Sequence, residues 1–382
     1  MASTVIHSAR IVSGGDLDTD AWLRLDGDRI AARGIGDDWR ADAAPDAVVD
    51  AAGRLLTPGF IDVHGHGGAG ASFDDGAEAI LQGIAVHRGH GTTRSVVSLV
   101  TAPVEVLAER AAVVAELARL DPLVLGSHLE GPFLAERFKG AHDPRLLQAP
   151  GPADVERLVE AADGTLRQIT IAPELPGAGE AIARFLDAGA RVAVGHTAAD
   201  YETASAAFDL GASILTHAFN AMPGIHHRAP GPVVAAMGAD HVTLEVIADG
   251  VHVHPAVVRL AFDGAPGRIA LVTDAMAATG SADGRYSLGG LDVAVADGVA
   301  RLVEGGSIAG STLLQDAALR FAVEEAGIGL AEAVRALTET PAAAIGRAQD
   351  LGRLDVGFAA DAVLLSEELR VEGVWAAGER LV

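Results

Sequence analysis

Eight short apolar runs recur along the middle of this chain, and each is followed by a stretch rich in Ala, Leu, Glu and Arg. The runs are FIDVHGH, TTRSVVSLVT, LVLGSHLEG, RQITIAPE, VAVGHT, SILTHAFN, VTLEVIADG and IALVTDA. Helical stretches between them include 77–90, 103–120, 153–162, 178–188 and 200–209. Eight strand–helix units in series predict an α/β fold, a TIM (β/α)8 barrel. An open doubly wound sheet is the rival, but no Gly-x-Gly-x-x-Gly turn follows an early strand. Both ends of the chain read differently. Residues 1–53 and 355–382 show short alternating strands and turns, including the hairpin signal Asp26-Gly27. They predict a small β-sandwich domain built from both termini around a barrel over 54–354. A β-hairpin insertion is expected near 285–304, after the eighth strand.

The 382 residues suffice for such a barrel with a small companion. There are no cysteines, which excludes disulfides and thiolate ligands. No apolar stretch is long enough to span a bilayer, and the first residues lack a basic segment followed by an apolar core, so a cytoplasmic location is the expectation. The formal net charge is −24, which opposes binding to nucleic acid and to anionic membranes. An anionic substrate would need a local cationic pocket.

A barrel collects its site at the C-terminal ends of its strands, and the strand exits here carry metal-binding chemistry. His64 and His66 leave the first strand at spacing two, which places both imidazoles on one face. The third strand ends in His128-Leu129-Glu130, the fifth in His196, and the sixth in His217 with Asn220. The seventh ends in Asp249 and His252, the eighth in Asp274. Any one of these alone would suit a helix cap or a satisfied core histidine; their succession around the barrel points to a shared metal. Imidazole and carboxylate without thiolate suit zinc, with iron, manganese or cobalt as alternatives. A carboxylate beside the metal's water would serve as general base, and Asp274 is the candidate.

Together PGFIDVHGH, HLEGPF, KGAH, GHT, THAFNAMPGIHHR, ADGVH and LVTDA resemble the amidohydrolase superfamily, and more closely its N-acetylglucosamine-6-phosphate deacetylase family. The resemblance runs from Pro58 to the segment GSIAGSTL. It implies hydrolysis of the acetamide of an amino sugar phosphate, within amino sugar metabolism. It implies that Glu130, His196 and His217 hold the main metal and that His64 and His66 hold a second, with Glu130 bridging; one or two ions per subunit both fit. Asp274 is implied as catalytic acid and base, and His142 as the group polarising the acetamide carbonyl. Asn220, Ala221, Arg228 and His252 are implied contacts to the sugar phosphate. Ala141 and the segment Ile308, Ala309 and Gly310 are implied to line the sugar pocket. In that family the counterpart of Arg228 reaches in from a neighbouring subunit, which implies a homodimer.

Two observations bear on these implications, the first without the family and the second by comparison with the wider superfamily that the chain resembles. The cluster His226-His227-Arg228 is a cationic patch on an acidic chain, suited to phosphate or to a surface carboxylate. The fourth strand ends ITIAPE and carries no lysine, and Lys139, the only lysine, follows the third strand. A carboxylated lysine bridging two metals, as in hydantoinases and dihydroorotases, is therefore not expected. The alternatives are a deacetylase of a related phosphate such as N-acetylgalactosamine 6-phosphate, another amidohydrolase such as an N-acyl-amino-acid deacylase or a nucleobase deaminase, and a non-catalytic scaffold.

Overall fold

The computed structural model describes residues 3–41 and 44–382. Eight parallel strands follow one another around a barrel: β1 (Phe60–Asp62), β2 (Thr92–Val100), β3 (Val124–Glu130), β4 (Leu166–Ile171), β5 (Arg191–Val194), β6 (Ile214–Leu215), β7 (Thr243–Val246) and β8 (Ile269–Leu271). Each pairs with its neighbour in sequence order, the pattern of a TIM barrel. The intervening helices include Ala77–Gly89, Val104–Leu120, Pro152–Ala162, Ala178–Asp187 and Tyr201–Asp209. Their apolar faces join the outward-facing strand residues in one continuous core. In β3, for example, Leu125 and Leu129 belong to that core. His128 and Glu130 take the alternate positions and face the barrel's interior.

The seam between β8 and β1 is held by side chains and by backbone beyond the strand ends. Gln315 is fully buried; its Nε2 donates to Ile61 O at 3.0 Å and, more weakly, to Leu271 O, while its Oε1 accepts from Thr92 Oγ1 at 3.0 Å. Above it the Thr273 hydroxyl donates to Asp62. Higher still, Asp274 N donates to His64 O at 2.8 Å and His66 N to Ala275 O at 2.7 Å. Gln315→Leu would keep the volume and strand these buried polar groups. We expect it to destabilise the protein by about 2–4 kcal/mol, at roughly 1–3 kcal/mol per unsatisfied group. The midpoint of denaturant unfolding measures this.

The chain ends form a second body of structure. Strands Ser3–Ser13, Asp16–Asp26, Arg29–Ile35, Ala47–Asp50 and Leu55–Pro58 join Ala362–Leu365, Val371–Ala376 and Glu379–Arg380 in one eight-stranded sheet. Its strands enclose a core of their own, including Ile6, Leu23, Leu25, Leu56 and Trp375, as in a small β-sandwich. A bidentate ion pair, Arg94 with Asp361 at 2.6 and 3.1 Å, is buried where this sheet meets the barrel. After β8 the chain makes a three-stranded antiparallel meander, Gly284–Leu288, Leu291–Ala296 and Val299–Leu302, one strand more than a hairpin. Leu288 at its first turn packs with Val100, Ala141 and Met276 at the barrel mouth. Among the described residues no helix is long and apolar enough to cross a membrane.

Candidate metal centre

Three polar residues at the strand exits hold backbone conformations that non-glycine residues seldom adopt. His196, His217 and Asp274 have φ of 45°, 26° and 47°, and Phe219 and Ala221 nearby have 77° and 49°. Such conformations cost on the order of 1–3 kcal/mol each and persist where surrounding structure imposes them. Here they turn the chain sharply as it leaves the strand and bring the side chains over the barrel axis. Gly195, just before His196, lets the backbones close in: a Cβ there would lie 2.6 Å from Thr216 Cβ and 2.8 Å from Thr170 Cγ2.

Glu130 stands at the centre of what these turns assemble. Its Oε1 lies 3.2 Å from His196 Nε2, 3.1 Å from His217 Nε2 and 3.4 Å from His64 Nε2. Its Oε2 lies 3.0 Å from His66 Nε2 and 3.6 Å from His142 Nε2. Asp274 Oδ1 faces His66 and His64 at 3.3 and 3.6 Å. All seven side chains are buried. The structure thus brings together, around one carboxylate, the five residues expected to ligate metal and the two expected to act on substrate.

The imidazole tautomers show what such an arrangement requires. His64 gives its Nδ1–H to Glu245 Oε2 at 2.9 Å, and His196 gives its own to Phe138 O at 2.9 Å. In their neutral forms both rings therefore turn an Nε2 lone pair inward. There His196 Nε2 meets His217 Nε2 at 2.9 Å, and His64 Nε2 meets His66 Nε2 at 3.2 Å. Lone pairs that face one another and a carboxylate at these distances repel unless a proton or a cation lies between them. Burial alone would strip charge from His64 and His66. Nevertheless Glu130 and Glu245 hold His64 well above the usual imidazole range, and Asp274 with Glu130 raises His66 to about 9. Burial similarly opposes charge on Glu130 and Asp274, and the facing imidazoles overcome it and lower both carboxyls. The centre is built to hold positive charge, and a divalent ion is the compact way to supply it. The oxygen and nitrogen donors, without sulfur, suit zinc or a similar ion.

A layer of polar groups lies beneath the centre; of its members the sequence singles out only His128, among the strand-exit residues pointing to a metal, and the structure sets that ring below the centre instead. Glu245, fully buried in β7, also accepts from Gln168 Nε2 at 2.7 Å and from His217 N at 3.3 Å, so it steadies ligands from two strands. His128 lies in this layer, between Ser98 Oγ at 2.9 Å and Thr170 Oγ1 at 2.8 Å. Burial, then the neighbouring His64 charge, holds it well below the ordinary imidazole range. It supports the site from below as a neutral ring.

The centre opens into a cavity of about 340 Å³. Its wall includes His142, Ala141, Asn220, Ala221, His252, Leu288, Ile308 and Gly310. Ala309 instead packs into the meander core, with its N–H on Ala300 O. The Asn220 amide nitrogen is engaged with His217 O and Ala218 O, which frees its oxygen. Asp249 does not join the metal centre. Its oxygens accept from Val251 N, His252 N and His252 Nδ1, so it caps a turn and orients His252. Arg228 is exposed on a loop beside His227 and does not line the cavity of its own chain. Among the described residues no arginine or lysine lines that cavity.

The amidohydrolase family model matches residues 55–381. The N-acetylgalactosamine-6-phosphate deacetylase of Escherichia coli O157:H7 is 38% identical, covering 98% of each chain. The N-acetylglucosamine-6-phosphate deacetylase of Vibrio furnissii is 36% identical over 98% of this chain and 94% of its own. Among solved structures, an aspartate-to-alanine mutant of N-acetyl-D-glucosamine-6-phosphate deacetylase from Mycobacterium smegmatis, in complex with N-acetyl-D-glucosamine-6-phosphate, superposes with a TM-score of 0.94. It is 41% identical, with both chains fully covered.

Proposed function

The chain belongs to the amidohydrolase family, and from that premise we propose that it is a metal-dependent deacetylase of N-acetylglucosamine 6-phosphate, yielding glucosamine 6-phosphate and acetate. The observation that carries the reading is the convergence of five imidazoles and two carboxylates at the mouth of a barrel. The relatives' names supply the substrate class.

Glu130, His196 and His217 would hold the main ion; His64 and His66 would hold a second, with Glu130 shared. When bound, a divalent ion there supplies Lewis acidity to the acetyl oxygen and acidifies water. Asp274 takes the proton of the attacking water at its carboxylate, then returns it to the departing sugar nitrogen, so that acetate and free amine leave. His142 is braced for the acetyl oxygen. Its Nδ1 donates to Thr101 Oγ1 at 2.8 Å, because the Thr101 proton is committed to Glu130 O, and its Nε2 is left toward the centre. That nitrogen faces the place where the acetyl oxygen would sit, in a setting already organised around it. Asn220, Ala221 and His252 line the outer cavity, where the sugar phosphate would rest.

The phosphate anchor is Arg228, contributed across a homodimer interface to the partner's cavity. Among the described residues no guanidinium lines the cavity of its own chain, and the loop that carries Arg228 is exposed. Arg228→Ala is expected to raise KM for the phosphorylated substrate by about 10- to 100-fold, the value of one or two charge-assisted hydrogen bonds, with a smaller effect on kcat. Acetate release measures this; unchanged kinetics would remove Arg228 from the phosphate site. The 38% identity to the Escherichia coli enzyme favours a second reading, in which the 4-epimer is the better substrate. Assaying both epimers, each with and without its phosphate, decides between them and tests the phosphate requirement.

A further inference from the structure

A second cavity, of about 300 Å³, lies at the end of the barrel opposite the metal centre, between the starts of β3 and β4 and the terminal sheet. Arg29, Arg94, Arg119, Arg167 and Arg347 line it, against the carboxylates of Asp28 and Asp350. Such a concentration of guanidinium is out of keeping with a chain of net charge −24. Much of that charge is compensated from behind. Arg94 is paired with Asp361, Arg347 with Asp350 at 3.0 and 2.6 Å, and Arg119 with Asp163. Arg29 has Asp28 at 3.8 Å.

Arg167 is different. Its Nε donates to Leu125 O at 2.6 Å, and among the described residues no carboxylate pairs with it. It is partly buried, and burial together with the facing Arg347 charge pulls it below the ordinary guanidinium range. A guanidinium without a counter-ion, set opposite a second one across a cavity, is relieved by an anion between them. The planar fork of arginine matches the oxygens of phosphate bidentately. The volume is at the lower edge for small-molecule sites, which suits a phosphate group better than a nucleotide or a polyanion.

We propose that this cavity binds a phosphate group, free or as the monoester of a small metabolite, with Arg167 as its anchor and Arg347 and Arg29 at its sides. The site is separate from the metal centre, so its ligand would act as an effector or a stabiliser and not as substrate.

Equilibrium dialysis with radiolabelled inorganic phosphate tests this on the full, metal-loaded chain. An Arg228→Ala background weakens the catalytic phosphate contact, and chloride keeps the ionic strength constant. The expected result is saturable binding that Arg167→Gln weakens by about tenfold or more. Arg167→Gln also loosens the bond to Leu125 O, so a second variant, Ala118→Glu, leaves every arginine in place. Ala118 lines the cavity from the helix Val104–Leu120. The added carboxylate should occupy the site and abolish phosphate binding. Methyl phosphate as competitor separates the two sources: displacement identifies a monoester site, and its failure identifies a free phosphate site. Phosphate binding unchanged in both variants would overturn the proposal, as would no saturable binding in the parent.

Discussion

Asp274→Asn is expected to lower kcat by about 10²- to 10⁴-fold, the usual contribution of a positioned acid–base group, while the divalent metal content stays as in the parent. The argument is geometric. Asp274 Oδ1 lies 3.3 Å from His66 Nε2, the backbone N–H is fixed to His64 O at 2.8 Å, and the backbone carbonyl accepts from Ser311 N at 2.7 Å. The side chain is therefore held over the centre by bonds that the amide leaves intact. The amide keeps the shape and loses only the ability to accept and return a proton. Metal analysis alongside acetate release separates this role from ligation. If Asp274→Asn lost the metal as well as turnover, Asp274 would be a ligand, and the general base would have to be sought elsewhere.

How much of this was legible in the sequence follows from what each signal depends on. The barrel strands could be read because each is a short apolar run beside an amphipathic helix, and burial on both faces demands that composition. Their ends could not. SILTHAFN reads as an eight-residue strand, whereas β6 is only Ile214–Leu215, because the chain enters left-handed turns at His217, Phe219 and Ala221. Those turns are imposed by the neighbouring strands and by the site, and local propensity does not encode them. The candidate ligands His64, His66, Glu130, His196 and His217 could be singled out because polar residues recur at successive strand exits, a pattern that capping alone does not require. Glu245 was not. In TLEV it sits between Leu244 and Val246, and only the register of the closed barrel shows that its alternate position faces inward under His64. An isolated acid inside a four-residue apolar strand was the available clue. Asp249 shows the opposite error, an exit carboxylate that serves its own turn. The meander gained a third strand because Val299–Leu302 can pair only once Leu291–Ala296 is in place.

Glu130→Gln should have the largest effect of any single substitution, because it removes the one group that the whole centre shares. Both carboxylate oxygens are engaged: Oε1 faces His64, His196 and His217, and Oε2 faces His66 and His142. An amide supplies a single oxygen. Its NH₂, turned toward either set, would hydrogen-bond imidazole lone pairs that a cation needs, and the negative charge opposing five imidazoles would be gone. The expected outcome is loss of bound divalent metal from the purified protein and a fall in kcat/KM of at least about 10³-fold, since metal and general-base chemistry fail together. The shift in thermal midpoint on adding metal should disappear with it, because an ion that binds only the folded state can no longer do so. His64→Asn offers the contrast. That ring would serve only the second ion, so its loss should leave one ion per chain if two are normally held. Full metal content in Glu130→Gln would show that the imidazoles alone suffice, and Glu130 would then be a charge partner of the rings and not a ligand.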